Sequence, residues 1–491
     1  MRQSTNQNKL KIQLLLKMLL ILKQVIKSIC HCTFIVACCF LFSSCNKDSF
    51  ISSPDATINT SADTVKFDTV FTSIGSVTQS FKINNTNNQK LLFNSIKLAG
   101  GDASSFKINI NGVPASRVND VELAANDSLY VFVTVRIDPN LSGLPFIVKD
   151  SIEINYNGNN RFIQLEAYGQ NANFLRNGVI RENRTWSNNL PYVILGSLQI
   201  DTSITLNIDP GCRIYSHANA PILVDGTLII NGTKAQPVTF AGDRLDEDYK
   251  DLPASWPGIY FREFSKNNLL NFTVIKNAYR GVVSEYLASN NRPKITMQQC
   301  IVDNAYDAGL LFVNSSFDIN NSLISNCGSN ISIILGGDYK LINCTVASYS
   351  TYVNHKNPVL SANNFAMMNG SNVSTGLNAV FENCIFWGEE GNLVENEVVI
   401  EKQGTEPFNV VFDHCLYKAT NDPANSVITD CIKNMNPMFD SIDVSKRLFN
   451  FHISNMDAPG LDKGIMNSYL KDLDGKERNN DLPDLGCYEK Q

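Results

Sequence analysis

Residues 341–348 read LINCTVAS, residues 381–388 read FENCIFWG and residues 412–419 read FDHCLYKA. In each stretch an apolar residue stands three positions before the cysteine and another stands two positions after it. Such a recurrence has three explanations: a metal ligand, half of a disulfide, or one position in a repeating wall. The choice among them decides the fold of the protein.

The same pattern extends over six segments once Thr and Ser are accepted at the cysteine position. At spacings of 27, 22, 22, 40 and 31 residues, that position holds Thr273, Cys300, Ser322, Cys344, Cys384 and Cys415. Three positions earlier stand Leu270, Met297, Ile319, Leu341, Phe381 and Phe412, and two positions later stand Ile275, Val302, Ile324, Val346, Phe386 and Tyr417. A period of about 20 to 30 residues is typical of a solenoid, whose coils stack about 4.8 Å apart.

The positions next to the cysteine add two expectations. Amides prevail immediately before it, as in Asn321, Asn343 and Asn383, and stacked amides suit a turn in which side chains hydrogen-bond along the axis. Apolar residues stand immediately after it, at Val274, Ile301, Leu323, Ile385 and Leu416. Adjacent residues of a strand cannot both face the core, so we expect a bend there. Four positions after it, Asn277, Asn304 and Asn326 line up.

The cysteines themselves are expected to be buried free thiols in an inward-facing column. The column also accepts Thr and Ser, which are small side chains. A metal site would need thiols at ligand spacing, and residues 46–491 contain no C-x-x-C pair. A disulfide such as Cys344–Cys384 is the alternative, because stacked positions lie within disulfide range in an oxidising compartment.

Residues 65–170 have a different texture, with apolar and polar residues alternating. Seven short runs show it: KFDTVF (66–71), QSFKIN (79–84), LFNSIKL (92–98), SFKINI (105–110), SLYVFVTVR (128–136), DSIEINY (150–156) and RFIQLEAY (161–168). Short alternating runs separated by Asn, Gly and Asp predict an immunoglobulin-like β-sandwich. The pattern resembles the immunoglobulin-like modules that precede larger domains in exported bacterial proteins, which implies a spacer.

Residues 175–455 carry a more specific resemblance. The motifs IDPGCRI (208–214), VDGTLIINGT (224–233), PVTF (237–240) and WPGIYF (256–261) precede the repeats described above. Together they resemble the right-handed parallel β-helix repeat proteins of the pectin-lyase-like fold. The expected fold class is therefore all-β, a right-handed parallel β-helix preceded by the sandwich.

The last residues, 456–491, include DLDGKERNNDLPDLGCYE at 472–489. This resembles the C-terminal segment of exported β-helix proteins. The last coil of a β-helix exposes unpaired strand edges, so we expect this segment to cover that open end, with a buried Arg478 paired with Asp484 or Glu489. Calcium held by Asp472 and Asp474, or by the acidic stretch 242–251, is the alternative. No other cofactor is expected.

The N-terminal residues 1–44 read as an export signal. They hold six Lys and Arg and no acid, and Thr33–Phe42 is an apolar run too short to span a membrane. The SSC at 43–45 resembles a bacterial lipobox, which implies lipid attachment at Cys45 and an outer-membrane, cell-surface location. Residues 45–64 then form a flexible tether. An ordinary cleaved signal peptide is the alternative.

Charge excludes one class of partner. Residues 45–491 carry 35 of the 41 basic residues and all 47 acidic ones, a formal net charge of −12. An acidic chain without a basic stripe argues against nucleic acid as a partner.

Enzymes on the resembled fold cut acidic glycans, and the hydrolases carry N-T-D, D-D, G-H-G and R-I-K motifs. None of the four occurs in this sequence. We therefore expect no catalytic residue and favour non-catalytic binding of a glycan or of another envelope or host component. A polysaccharide lyase or glycoside hydrolase acting on an acidic glycan is the alternative.

The ligand-binding residues are sought where the coil rhythm breaks. The 40-residue interval between Cys344 and Cys384 predicts a lateral loop, residues 348–365. Aromatic and polar side chains of this loop and of the following coil suit sugar stacking. The candidates are Tyr349, Tyr352, His355, Lys356 and Trp387.

Overall fold

The computed structural model describes residues 17, 18, 23, 49–139, 145–389 and 394–490. Cys45, the predicted lipid-attachment residue, lies outside them. The described chain forms two compact units. One comprises its residues up to Val65, Ser80–Val133 and Ser151–Gln164, and the other comprises Lys66–Gln79, the described residues of 134–150 and those from Leu165 onward.

From residue 49 onward, the described elements are β-strands except for a 3₁₀ helix at Gly101–Ala103. The first ten strands are β1 (Ile58–Thr60), β2 (Thr64–Phe71), β3 (Gln79–Asn85), β4 (Leu91–Leu98), β5 (Phe106–Ile110), β6 (Val113–Pro114), β7 (Arg117–Leu123), β8 (Ser128–Val135), β9 (Phe146–Tyr156) and β10 (Asn159–Gln170). They form two five-stranded sheets, in the orders β1-β3-β8-β5-β6 and β2-β10-β9-β4-β7.

The seven alternating runs of the sequence are all strands, and the alternation has the expected cause. In β8, Leu129, Val131 and Val133 are buried while Tyr130 and Phe132 are exposed. The pairs β1–β3, β4–β7, β4–β9 and β5–β6 are antiparallel. The predicted tether, residues 45–64, is too long at its C-terminal end. Residues 58–60 already form β1, which pairs with β3, so the sheets begin before the predicted start of the sandwich at residue 65.

The rest of the strands build one parallel sheet of 26 strands between residues 173 and 433, with a hairpin, β30 and β31, set apart from it. The strands are β11 (Asn173–Ile180), β12 (Arg184–Trp186), β13 (Tyr192–Ile200), β14 (Thr205–Ile208), β15 (Arg213–Ser216), β16 (Ile222–Val224), β17 (Thr227–Asn231), β18 (Val238–Gly242), β19 (Ile259–Phe261), β20 (Asn268–Asn271), β21 (Thr273–Lys276), β22 (Arg280–Glu285), β23 (Ile295–Gln298), β24 (Ile301–Asp303), β25 (Ala308–Asn320), β26 (Leu323–Ser325), β27 (Ile331–Ile342), β28 (Thr345–Tyr349), β29 (Leu360–Asn363), β30 (Phe365–Met368), β31 (Ser371–Ser374), β32 (Leu377–Glu382), β33 (Ile385–Glu389), β34 (Val398–Glu401), β35 (Phe408–Asp413), β36 (Leu416–Tyr417), β37 (Val427–Thr429) and β38 (Ile432–Lys433).

Each strand of this sheet pairs with the equivalent strand of the next coil. For example, β20 pairs with β23, β21 with β24 and β22 with β25, all in parallel. The chain therefore winds as stacked coils, which is the pattern of a parallel β-helix. A final antiparallel hairpin joins β39 (Ser441–Asp443) to β40 (Leu448–Asn450).

The repeat alignment is confirmed by the strand register. Leu270 pairs with Met297, which pairs with Ile319, and the column continues to Phe412. The second apolar column runs in the same way from Ile275 to Tyr417. Both columns are buried, and each buried large apolar side chain contributes about 1.5–3 kcal/mol to folding.

The predicted ladder is buried, and its cysteines are free thiols. Thr273, Cys300, Ser322, Cys344, Cys384 and Cys415 are all at most 1% exposed. Cys212 and Cys431 extend the set at the same position of other coils, immediately before β15 and β38. No disulfide joins any cysteine that the structure describes.

The amide column forms turns, as expected. Asn321, Asn343 and Asn383 adopt φ angles of 47°, 51° and 53°, in the left-handed region that Asn enters more readily than most residues. The side chains also stack along the axis, because the Nδ2 of Asn383 donates to the Oδ1 of Asn343 at 2.9 Å. His414 occupies the same turn position with φ 48°.

The prediction of a bend immediately after the cysteine position is wrong. Leu323, Ile385 and Leu416 begin strands β26, β33 and β36, and they are buried in an apolar cluster separate from that of the coil interior. The C-terminal segment covers them, and it begins earlier than the predicted residue 456, since residues from Phe439 onward pack on this column; from here the name C-terminal segment denotes residues 439–489. The covering side chains include Phe451, Ile453, Ala458, Leu473, Leu485 and Cys487. The outward apolar column therefore exists because a second layer packs on it.

The prediction that the C-terminal segment covers the open end of the coils is wrong. The segment runs along the flank and bonds to the turns of several coils. Five residues of the segment each bond to one residue of the coils: Ile465 to Asn383, Asn467 to Asn343, Arg478 to Asn321, Asp472 to Gln299, and Asp474 to Lys234. The physical reason is the outward apolar column, which would otherwise face water.

Arg478 anchors this segment. It is 6% exposed, and its Nη1 lies 3.3 Å from Glu489 Oε2 and 3.2 Å from the Asp484 carbonyl oxygen. Its Nη2 also donates to Asn321 Oδ1 at 2.9 Å. The expected ion pair with Glu489 is confirmed, whereas Asp484 contributes its backbone rather than its carboxylate.

Candidate functional site

The floor of one polar groove on the coils is a column of three asparagines. Asn277, Asn304 and Asn326 occupy one turn in three successive coils, with φ angles of 61°, 56° and 54°. Asn304 Nδ2 donates to Asn277 Oδ1 at 2.8 Å, and Asn277 Nδ2 donates to the Lys250 carbonyl oxygen at 2.7 Å. The alignment of these asparagines was predicted from the repeats.

The column of amide bonds stops at its third member. Asn326 Nδ2 donates to Asp303 Oδ1 at 3.3 Å rather than to Asn304. Asn304 Oδ1 consequently has no hydrogen-bond partner among the described residues, although it is buried. The floor of the groove therefore holds an acceptor that the protein leaves unpaired.

Asp303 is the titratable group closest to this floor. Ser325 Oγ donates to its Oδ1 at 2.7 Å. Burial raises the pKa of the Asp303 carboxyl, while the bonds from Ser325 and Asn326 and the charge of Lys276 act in the opposite direction. The surrounding protein therefore makes this carboxyl easier to protonate than an exposed aspartate.

The walls of the groove come from outside the repeats. Tyr352 belongs to the loop between β28 and β29, and Arg447 belongs to the turn between β39 and β40. The Arg447 guanidinium lies 3.6 Å from the centre of the Tyr352 ring, a cation–π contact. The groove has a volume of about 310 Å³, and its lining also includes Asp251, Lys276, Thr351, Lys446, Leu448 and Phe449.

The groove extends along the stack of coils. Its lining is drawn from four successive coils, through Lys276, Asp303, Asn326 and Thr351 in turn. Three steps of about 4.8 Å make about 14 Å of floor along the coil axis. An extended ligand could therefore contact several repeats at once.

The five ligand-binding candidates from the sequence do not form one surface. Tyr352 lines the groove, and Lys356 is exposed outside its lining. Tyr349, His355 and Trp387 are buried, at 4%, 2% and 5% exposure. These three side chains are packed inside the protein and cannot meet a ligand in this conformation.

Each buried candidate has a structural partner. His355 Nε2 lies 2.8 Å from Glu397 Oε1, and both side chains are enclosed. Trp387 Nε1 donates to Glu389 Oε1 at 3.0 Å, and the Tyr349 ring packs on Phe449. The predicted loop is also shorter than 348–365, because Tyr349 ends β28 and residues 360–363 rejoin the sheet as β29.

Sequence reasoning missed most of the groove. Asp303 and Lys276 immediately precede Asn304 and Asn277 in the repeat alignment, so a search beside the asparagine column could have found them. Arg447 has no such signal, because only the fold of the C-terminal segment brings it to Tyr352.

The residues proposed for calcium have protein partners instead. Asp472 accepts backbone N–H groups of Lys476 at 2.8 Å and Glu489 at 3.0 Å. Asp474 pairs with Lys234 and with His452 Nε2. In the part of the chain that the structure describes, no group of three or more His, Cys, Asp or Glu could hold a metal ion.

No protein-family model matches the chain, and no curated protein matches it. Solved structures give distant likenesses. A family 123 glycoside hydrolase from Clostridium perfringens, described for glycolipid glycan hydrolysis, is 10% identical with a TM-score of 0.17, over 24% of this chain and 26% of that one. A protein of unknown function from Porphyromonas gingivalis W83 is 9% identical with a TM-score of 0.18, over 26% and 60%.

A third likeness is to the PapD-like domain 7 of human CEP192, at 9% identity and a TM-score of 0.17, over 25% of this chain and 89% of that domain. The chain thus spans about a quarter of the length of the glycoside hydrolase and 60% of that of the Porphyromonas protein. Likeness at this level defines neither the family nor the activity of this chain. No helix among the described residues is both long and apolar enough to cross a membrane.

Proposed function

We propose that this chain is a lipid-anchored surface protein that binds a glycan in the groove over Asn277, Asn304 and Asn326 without cleaving it. The observation that carries the proposal is the Arg447–Tyr352 pair facing a polar floor. A sugar ring presents an apolar face and a rim of hydroxyl groups. Aromatic and guanidinium groups opposite a floor of amides and carboxylates match both features.

The proposal assigns the coils, residues 173–433, to a right-handed, pectin-lyase-like β-helix. It assigns the two five-stranded sheets, residues 58–170, to an immunoglobulin-like sandwich that acts as a spacer. The parallel register of the coils and the alternating strands support these assignments.

The proposed anchor is a lipid on Cys45, in the outer membrane at the cell surface. The basic segment before an apolar run, ending in SSC at 43–45, supports it. Cys45→Ala in the full chain is expected to move the protein from the membrane fraction to the soluble fraction. Membrane association unchanged by this substitution would mean that the anchor is not at Cys45.

The binding proposal is tested by screening the full chain against an array of acidic and neutral polysaccharides. Arg447→Ala and Tyr352→Ala are each expected to weaken binding about tenfold, about 1.4 kcal/mol, because each removes half of the cation–π pair. Arg292→Ala is the matched control, since Arg292 is exposed and lies outside the groove lining. Equal loss of affinity in Arg447→Ala, Tyr352→Ala and Arg292→Ala would contradict binding in the groove. Unchanged affinity in Arg447→Ala and Tyr352→Ala would contradict it as well.

Catalysis is the second candidate function, and one observation favours it. Asp251, Asp303 and Lys276 line the same groove, and the pKa of Asp303 is raised. A lyase or hydrolase acting on an acidic glycan needs carboxylates near a basic residue. The same screen should therefore follow reducing ends and unsaturated products, with and without calcium. Turnover that Asp303→Asn abolishes would replace binding with catalysis as the function.

A further inference from the structure

Two tyrosines stand one above the other on neighbouring coils, beside the groove. Tyr279 follows Asn277 by two residues, and Tyr306 follows Asn304 by two. Their rings are stacked with centroids 5.8 Å apart and planes 24° from parallel. The side chains are 41% and 53% exposed. Core packing does not account for a stacked aromatic pair that stands half in water.

The next coil places no side chain at the matching position. The backbone N–H of Tyr306 donates to the carbonyl oxygen of Ala278, the residue before Tyr279, at 2.9 Å. In the same way, the N–H of Gly328 donates to the carbonyl oxygen of Ala305, the residue before Tyr306, at 3.0 Å. Gly328 therefore occupies the position of the tyrosines in the next coil. A Cβ at Gly328 would stand 2.3 Å from the Tyr306 carbonyl oxygen, which excludes a larger residue. The ring face of Tyr306 directed away from Tyr279 therefore has no side chain from residue 328 over it.

Polar groups flank the tyrosine pair. Arg280 Nε donates to Asp307 Oδ2 at 2.5 Å, which links the coils of the two tyrosines. At the other end, Asn357 Nδ2 donates to the Gly328 carbonyl oxygen at 2.8 Å. An aromatic face with donors and acceptors at its edges suits a pyranose ring, whose C–H face stacks while its hydroxyl groups bond at the rim.

The tyrosine column and the groove run in the same direction. Both follow the stacking of the coils, and each tyrosine lies only two residues after an asparagine of the groove floor. A single extended ligand could therefore contact both surfaces.

We propose that Tyr306, backed by Tyr279 and bordered by Arg280 and Asp307, is a stacking subsite for one sugar ring. The ligand is accordingly an extended glycan chain lying parallel to the coil axis rather than a single sugar. This inference rests on the proposed function of the groove and names the form of its ligand.

The test is calorimetric titration of the full chain with cello-oligosaccharides and with galacturonate oligomers, each from disaccharide to hexasaccharide. Affinity should rise with length. Tyr306→Ala should weaken the longest oligomer about tenfold and leave the shortest unchanged. Tyr306→Phe should bind as the unsubstituted chain does, because it keeps the ring. Tyr286→Ala is the control, since Tyr286 is equally exposed, at 52%, in a different turn.

The outcomes separate this inference from the proposed function. Unchanged affinity in Tyr306→Ala, with loss in Arg447→Ala, would overturn the subsite and keep the groove. Loss in Tyr306→Ala alone would overturn the groove and keep the subsite. Binding of a polyproline peptide instead of the sugars, lost in Tyr306→Ala, would make the tyrosines a peptide site. Absence of binding by every oligomer would overturn both proposals.

Discussion

At the scale of single residues, Lys294 shows how a charged side chain can organise the coils from inside. It is fully buried, and its Nζ donates to the carbonyl oxygens of Glu285, of Tyr286 at 3.1 Å and of Glu263 at 3.4 Å. Burial lowers its pKa to about 8, against the opposing effect of the Glu285 and Glu263 charges. Lys294 links two turns through these hydrogen bonds, although burial of its positive charge is unfavourable.

The unfavourable burial of this charge predicts a pH dependence. Between pH 8 and 10.5 the unfolded chain holds a proton on Lys294 and the folded chain releases it. The free energy of unfolding should therefore rise with pH in this window, by roughly 3 kcal/mol, relative to a Lys294→Met variant. Urea unfolding of both proteins at several pH values measures the difference. Parallel curves for the two would contradict the prediction.

The cysteine ladder gives a second prediction at this scale. Thr273 and Ser322 occupy the same column as Cys344, so Cys344→Ser should cost less than about 1.5 kcal/mol. Cys344→Leu should cost about 1–3 kcal/mol because leucine is larger than the Cys, Thr and Ser side chains that the column holds. The midpoints of thermal unfolding decide between them. Equal tolerance of both variants would show that the column is loosely packed.

At the scale of elements, the C-terminal segment is a second layer on the coils. It buries Leu323, Ile385 and Leu416 and crosses several coils through polar bonds. Arg478 is its most connected side chain, with four different residues as partners. A buried guanidinium of this kind holds the segment through geometry as well as charge.

Removal of that side chain should loosen the segment. Arg478→Ala is expected to lower the free energy of unfolding by about 3–5 kcal/mol, because Glu489 remains buried without its charged partner. Arg478→Lys should recover only part of the loss, since lysine lacks the planar fork. Arg292→Ala, at an exposed position, should have no effect. A loss under 1 kcal/mol in Arg478→Ala would mean that the ion pair is not structurally important.

At the scale of the whole chain, sequence reasoning succeeded where the structure repeats. The columns containing Cys344 and Ile324 follow from periodicity, and their register and burial are confirmed. The turns followed from Asn chemistry. The cover over Leu323 and the approach of Arg447 to Tyr352 depend on where a non-repeating segment folds back. No local sequence pattern indicates where the C-terminal segment packs. The apolar residues after the cysteine position therefore led to the prediction of a bend rather than of a covered outer face.

Stability of the whole chain should not depend on calcium. The carboxylates of Asp472 and Asp474 already accept bonds from backbone amides and from Lys234 and His452. Neither excess calcium nor a chelator is therefore expected to change the midpoint of thermal unfolding. Magnesium serves as the control cation. A midpoint several degrees higher with calcium alone would point to a site that these carboxylates join.

The flank position of the C-terminal segment sets an order of events during synthesis. Lys234 meets Asp474 only after 240 further residues have been made. Coils can stack as they emerge, since each depends on its neighbours, but their outward apolar column stays bare until the last residues arrive. Such late, long-range closure is slow and leaves an adhesive surface exposed in the meantime. A nascent chain stalled before residue 439 should therefore be the form that aggregates or recruits chaperones.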